Sequence, residues 1–352
     1  MSDYVRPSKT FLNKCGDIIR SVINTSQEYS DAIQTVSGWR LIHAKPLDEV
    51  RVLIKKRLNR HGYKKIVVVG QRLKRMPSII DKLNRIKGTE LSRMQDIAGL
   101  RIIVPAIQDV KIIHDILERK TSTLTLSNEK DYINKDGPKP DGYRSVHMVF
   151  KYKSKKCPQL ENYNVEVQIR TQLQHLWGTT VETLGMIDKE SYKTGEGEYK
   201  TKRFLFLVSA LFALKEGTKL PDELKGTAPI DIVKEITSID NELKITTKLQ
   251  GVAVTISKNK VNENDEYYVL ELTVEPTGKG HIKIMSFKFG FDGLAENYYE
   301  FREQATKNQQ NVSVLMIRAE KFNMIKKAYP NYFFDTQNFL KELNGICKSY
   351  IN

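Results

Sequence analysis

The sequence predicts an α/β (α+β) protein: a mixed β-sheet flanked by helices, followed by a smaller C-terminal α+β domain. Three observations predict it. Short β-branched runs alternate with helical runs from Ile66 to about residue 190, apolar residues recur at helical spacing before Gly62, and strand-like alternation returns after about residue 250. A chain of 352 residues is long enough for more than one core. Three stretches are expected: a helical region over 1–60, an α/β core over 61–220 and a small α+β domain over 236–352.

Each element has a local reason. DIIRSVI (Asp17 to Ile23) and LDEVRVLIKKRL (Leu47 to Leu58) repeat apolar residues at helical intervals, the second directly after Pro46, a residue suited to a first helical turn. IVVVG from Ile66 reads as a strand, SIIDKLNRI as a helix beginning near Ser78, GLRIIV as a strand and VKIIHDILER as a helix. SVHMVFKY and NVEVQI are strands, and QLQHLWGTTVETLGMI is a helix. Phe204 to Lys215 forms another helix before the Gly/Pro-rich boundary KEGTKLPDELKGTAP. Beyond it, GVAVTIS, YYVLELTVEP and HIKIMSFKF read as three meandering strands. A helix over Leu294 to Ala305, a strand SVLMIRA and helices near Lys321 to Ala328 and Thr336 to Lys348 complete the chain.

The net charge is +15, and it is concentrated: between Arg51 and Arg93 there are 14 Lys/Arg against Asp81 and Glu90, a local +12. Such a surface attracts polyanions, either nucleoside triphosphates or RNA such as tRNA. Cys15, Cys157 and Cys347 are odd in number and widely spaced, which argues against a disulfide framework and for a reducing, cytoplasmic setting. The longest apolar run, Phe204 to Leu214, is interrupted by Ser209 and is far shorter than the roughly 20 residues of a bilayer span. With no N-terminal apolar signal core, no membrane partner is expected.

In NVEVQIRT the two-residue period puts Glu166, Gln168 and Arg170 on one face and Val165, Val167 and Ile169 on the other. Tyr143, Ser145 and His147 alternate with Arg144, Val146 and Met148 in the same way, just after the turn-forming pair Asp141-Gly142. Alone, each is an ordinary half-exposed strand. Together they would line a cleft in which a nucleobase stacks on Tyr143 while His147 or Lys139 bonds phosphate or sugar. Asp96 and Glu166 are a natural carboxylate pair for Mg²⁺, a hard cation that takes oxygen ligands. Arg72, Lys74, Arg75 and Lys82 approach a helix N-terminus and would offset phosphate charge. Arg72 and Arg101 have the planar cations suited to clamping a base.

The motifs RLKRMPSIIDKL (Arg72 to Leu83), DIAGLR (Asp96 to Arg101), PKPDGYRSVH (Pro138 to His147) and EVQIRT (Glu166 to Thr171) occur in this order. Their order and spacing resemble the synthetase domain of RelA/SpoT-type alarmone (ppGpp) synthetases over roughly residues 60 to 190. The resemblance implies a nucleotidyltransferase-like fold and transfer of the β,γ-pyrophosphate of ATP to the ribose 3′-hydroxyl of GDP or GTP, releasing AMP. Carried over, Asp96 holds Mg²⁺, and Glu166 is a second ligand, the base for the 3′-hydroxyl, or both. Arg72, Lys74 and Arg101 hold ATP, with Arg75 and Lys82 beside them. Tyr143 stacks on the acceptor base, with Lys139, Arg144 and His147 nearby and Gln168 and Arg170 on the same face as Glu166.

Departures bear on the acceptor side. Gly178 stands where the family often has Ala, Thr183 where His is common, and Asp141 where Asn precedes Gly-Tyr-Arg-Ser, a turn-compatible exchange. No hydrolase half is legible, since His114-Asp115 sits in a helical run without partner metal ligands. A relative that pyrophosphorylates the tRNA 3′ end or makes (p)ppApp is the second reading, and a catalytically silent nucleotide or RNA sensor the third. The C-terminal domain names no chemistry; packing, restraint of the site, ligand sensing or homo-oligomer formation are its expected roles.

Overall fold

The computed structural model describes residues 6–21, 26–63, 68–154, 160–192, 195–252, 254–258, 261–262, 265–275, 279–306, 309, 311–319, 322–333 and 335–351. Ile23, Ile66, Val67 and Cys157 of the sequence reading lie outside them. Helices α1 (Lys9–Ser21), α2 (Gln27–Ile42) and α3 (Ala44–Arg60) precede β1 (Val68–Leu73) and α4 (Met76–Arg85). There follow β2 (Ala98–Val104), α5 (Ile107–Glu118), β3 (Leu124–Asp131), β4 (Val146–Tyr152), β5 (Tyr163–Thr171), α6 (Gln172–Asp188) and α7 (Tyr199–Glu216). α6 starts on a complete capping box, in which Thr171 and Gln174 satisfy each other's backbone N–H groups.

The second half comprises α8 (Pro229–Leu243), α9 (Ile245–Gly251), β6 (Val254–Lys258), β7 (Tyr267–Val274), β8 (Gly280–Phe287), α10 (Asp292–Ala305), β9 (Val312–Arg318), α11 (Phe322–Ala328) and α12 (Gln337–Ile351). Among the described residues all strands join one mixed sheet, in the order β3-β4-β5-β2-β1-β9-β7-β8-β6. β2 and β5 are parallel, as are β6 and β8, and the other pairs are antiparallel. β6, β7 and β8 therefore do not meander as the sequence suggested. β6 lies beyond β8, because β7 gives its other edge to β9.

The sheet runs on through the β1 and β9 edges, where Gln71 faces Arg318. Arg318 meets Asp48 of α3 at 2.6 Å and Glu266 at 2.9 Å. On the other side, Arg40 of α2 is fully buried, donating to the Tyr299 hydroxyl at 2.9 Å and pairing with Glu303 of α10 at 3.0 Å. An uncompensated charge there would cost several kcal/mol, roughly 3–5 for breaking such a pair. The C-terminal strands and α10 are thus fastened to the N-terminal half at two places.

The two sheet faces differ. On one, Leu100, Ile102 and Val104 of β2 and Val165, Val167 and Ile169 of β5 pack against Val50, Ile54 and Leu58 of α3 and Val110 and Ile113 of α5. The other face of the same strands carries Arg101, Glu166, Gln168 and Arg170, with Ile103 packed into a third core that includes Leu315, Ile325 and Tyr329. Beside it, α6, α7, α8 and α12 share a separate core that includes Leu184, Phe204, Leu211, Ile236 and Phe339. α8 spans the expected division near residue 236. No described helix is long and apolar enough to cross a membrane.

Candidate functional site

Strand register builds the polar face in rows. Arg72 of β1, Gly99 of β2 and Glu166 of β5 lie opposite one another, and in the next row Gly70, Arg101, Gln168 and His147 do the same. Gly99 leaves the floor between Arg72 and Glu166 open, since a Cβ there would meet only the Arg72 carbonyl at 3.7 Å. The period-two reading of β5 is thereby realised: Glu166, Gln168 and Arg170 share this face, and its apolar partners share the other.

Two charged centres sit on it. Asp96, just before β2, receives Lys74 Nζ on one carboxylate oxygen and Lys82 Nζ on the other, both at 2.9 Å. Burial alone would raise the Asp96 carboxyl, but the two lysines outweigh it and hold it down at about 2. At Glu166, His147 Nδ1 meets Oε1 and Gln168 Nε2 donates to Oε2, each at 2.8 Å. Burial works against this charge and Asp96 repels it, yet the hydrogen bonds and His147 leave the carboxyl below its usual range. On its other side, His147 Nε2 meets the Tyr143 hydroxyl at 2.8 Å. Tyr143, His147, Glu166 and Gln168 thus form one hydrogen-bonded chain.

Tyr143 is carried by a turn rather than a strand, since β4 begins at Val146. Asp141 Oδ1 accepts from the Tyr143 N–H at 2.9 Å, an Asx turn that fits the expected exchange for Asn. Gly142 has φ +92°, and a Cβ there would come within 3.0 Å of Ser209 Cβ on α7. Gly142→Ala should therefore cost about 1–3 kcal/mol in strain and loosen the Lys139–Tyr143 turn, read as a lower melting temperature together with weaker acceptor-nucleotide binding.

Arg144 corrects the sequence reading. Its guanidinium leaves the cleft for the helical layer, where Nε donates to Ser209 Oγ at 3.2 Å and Nη1 to the Lys219 carbonyl at 2.7 Å. It anchors the turn from behind. Arg75 is corrected too: it runs to Ser313 of β9, and the first N–H of α4, at Met76, goes to Glu303 Oε1 at 3.2 Å. A carboxylate of the C-terminal half thus caps the helix end expected to face phosphate. His114 does have acidic neighbours, with Asp115 and Glu118 in ligand range and Glu129 at 3.0 Å from Nε2. They belong to the α5 layer on the opposite sheet face.

Arg101 and Arg170 are buried within a cationic patch that includes Arg72. Burial, then Arg101 and Arg72, bring the Arg170 guanidinium down to about 9, with Tyr143 and Glu182 opposing. Gly178 makes room for it, because a Cβ there would sit 2.9 Å from Arg170 Nη1. Gly178 is the residue that departs from the expected Ala. Residues that the sequence reading left without a role cover the patch. Arg101 Nη1 donates to the Ala328 carbonyl at 3.1 Å, and its guanidinium carbon lies 5.6 Å from the centre of the Tyr329 ring. His175 Nε2 meets the Lys327 carbonyl at 2.9 Å, and Asn331 donates to Glu182 at 2.9 Å. Ala328 and Tyr329 lie against Gly70, where a Cβ would come 3.0 Å from Ala328 Cβ. No local signal marks Tyr329, since its contacts are made across more than two hundred residues. Tyr132, also missed, stands between lysines in KDYINK, a pattern that could have flagged it.

The donor set suits a hard divalent cation: two carboxylates close enough to repel each other, half-buried and set among cations.

Residues 71–196 match the family described as a region found in RelA / SpoT proteins. The chain is 34% identical over 125 residues to the GTP pyrophosphokinase YwaC of Bacillus subtilis, a match covering 34% of this chain and 58% of that protein. It is 36% identical over 121 residues to the GTP pyrophosphokinase YjbM of the same organism, covering 34% of this chain and 56% of that protein. The chain thus spans a little over half the length of these relatives. Among solved structures it is similar to the small alarmone synthetase 1 from Bacillus subtilis bound to its product pppGpp, with 30% identity, a TM-score of 0.42, and coverage of 49% of this chain and 87% of that one.

Proposed function

With residues 71–196 a RelA/SpoT region, we propose that this chain transfers the β,γ-pyrophosphate of ATP to the 3′-hydroxyl of GDP or GTP, making (p)ppGpp and AMP. The observation that carries it is the open row Arg72, Gly99, Glu166, with the Asp96–Lys74–Lys82 cluster at its side. Glu166, ionised and oriented by His147 and Gln168, takes the 3′-hydroxyl proton. The freed oxygen attacks the β-phosphorus of ATP, the bond from that phosphorus to the bridging oxygen of the α-phosphate breaks, and AMP leaves. Lys74 and Lys82, which meet Asp96 here, would offset charge on the transferred phosphates. Arg72 and Arg101 would flank the adenine, and Tyr143 the acceptor base. Asp96 and Glu166 would hold Mg²⁺, which would supply positive charge against the phosphates.

The test is transfer from γ-labelled ATP to GDP, GTP, ADP, AMP and uncharged tRNA in parallel, with Mg²⁺. Label on guanosine nucleotides is the expected result. Label only on adenosine nucleotides or tRNA would replace the acceptor assignment, and label nowhere, with a variant freed of its cover included, would overturn the reading.

The cover over Arg101 bears on this function. Tyr329 holds the face of a guanidinium where the adenine ring would lie, and Glu303 holds the helix end where phosphate would lie. In this arrangement the C-terminal segment meets the donor side at both places. The C-terminal segment is read as a restraint on ATP binding.

A further inference from the structure

Resting on that reading, we infer that Tyr132 is a specificity-determining wall of the acceptor-base site, forming with Tyr143 a two-ring corner that selects a purine. Tyr132 follows β3 directly, and its backbone N–H donates to the Ser145 carbonyl at 3.1 Å, which ties it to the strand approach that carries Tyr143. Its neighbours lock it in place. Asp131 Oδ1 accepts from the N–H groups of Ile133 at 2.9 Å and Asn134 at 3.0 Å, Asp136 accepts from the Asp131 N–H at 2.7 Å, and Ile133 is fully buried.

The rings of Tyr132 and Tyr143 have centroids 6.2 Å apart and planes inclined at 68°. His147 stands edge-on to both, at 5.4 Å and 5.6 Å. The two inclined rings form a corner. Its occupant is the Lys139 ammonium, 4.6 Å from the Tyr132 centroid and 5.0 Å from the Tyr143 centroid. Among the described residues this ammonium has no carboxylate partner, and a cation held only by two π-faces is weakly held, by roughly 0.5–1 kcal/mol at exposed sites. It can leave for an acceptor phosphate. The vacated corner offers one ring as a stacking face and the other as a flank, beside the His147 imidazole that bonds Glu166.

Stacking reads ring area rather than base edge. A bicyclic purine reaches both walls of an inclined corner, whereas a pyrimidine on the first falls short of the second. The discrimination that Tyr132 supplies therefore lies between purines and pyrimidines, and the choice between guanine and adenine is left to groups at the base edge.

The test is titration of GDP, ADP and CDP into the full chain, with the melting temperature recorded for every variant. Wild type should bind GDP about tenfold tighter than CDP, and ADP also tighter than CDP, within the range that base–aromatic stacking supplies. Tyr132→Leu should lose about tenfold for both purines and little for CDP, so that the selectivity disappears, while Tyr132→Phe keeps it. A merely structural role would weaken all three ligands alike. Unchanged purine selectivity in Tyr132→Leu, or its loss in Tyr132→Phe, would overturn the assignment while leaving the transfer reaction standing. Failure of wild type to bind any of the three would instead overturn the acceptor reading, and this wall with it.

Discussion

Glu166→Gln should lose transfer by at least about a hundredfold in kcat, the scale of a removed general base, while leaving nucleotide binding within a few-fold of wild type. The substitution is close to isosteric, so the Gln168 and His147 contacts at 2.8 Å can be kept in altered donor sense. What is lost is the charge. Glu166 is ionised despite burial because His147 and Gln168 support it, and an amide in that place can neither accept the 3′-hydroxyl proton nor bind a hard cation strongly. Asp96 is unaffected, since its charge is held by Lys74 and Lys82. A single-turnover assay with GDP, beside a titration of GDP alone, separates the two effects. Full turnover by Glu166→Gln would remove this residue from the chemistry, and lost binding with lost turnover would make it a binding group instead.

The two-residue period of β5 was enough to bring Glu166, Gln168 and Arg170 to one face, because a strand with an apolar face against α3 and α5 has only one register that keeps Val165, Val167 and Ile169 dry. Arg144 is a different case: the same period sets it opposite Tyr143 and His147, and its expected place on the acceptor side came from the resemblance alone. Residues 138–145 form a turn, where side-chain direction is set by Asp141 and Gly142 rather than by a pleat. Arg75 failed for another reason: it stands at the entry to α4, and whether it turns to the cleft or to β9 depends on a strand more than two hundred residues away. Continuity of the sheet was equally hidden. β1 has the edge of any strand, and nothing within VVGQRL says that β9 will take it. Composition and periodicity report local preference, while the pairing of distant edges is decided by the whole fold.

Tyr329→Leu should raise the affinity for a non-hydrolysable ATP analogue, and transfer with it, by about tenfold or more. The ring contributes a cation–π contact with Arg101 and packs against Gly70, and in a desolvated setting such a contact is worth up to about 2 kcal/mol. If the closed arrangement dominates, apparent ATP affinity is reduced by the open fraction, so weakening the cover by that amount multiplies affinity accordingly. Leucine keeps part of the buried volume and avoids the larger cavity that alanine would leave at a residue only 3% exposed. Removing residues 236–352 is a poorer test of restraint. It takes away β9, which pairs with β1, and Phe339, Leu340 and Leu343 of α12, which share a core with α6 and α7. Activity lost in that truncation would report a damaged core rather than a needed regulator. The point substitution leaves those contacts in place, and GDP binding is its internal control because the Tyr329 contacts at issue are with Arg101 and Gly70. Higher analogue affinity with unchanged GDP affinity would establish a cover confined to the donor side. Unchanged analogue affinity, with an intact melting transition, would mean that residues 327–332 brace Arg101 and His175 without excluding ATP.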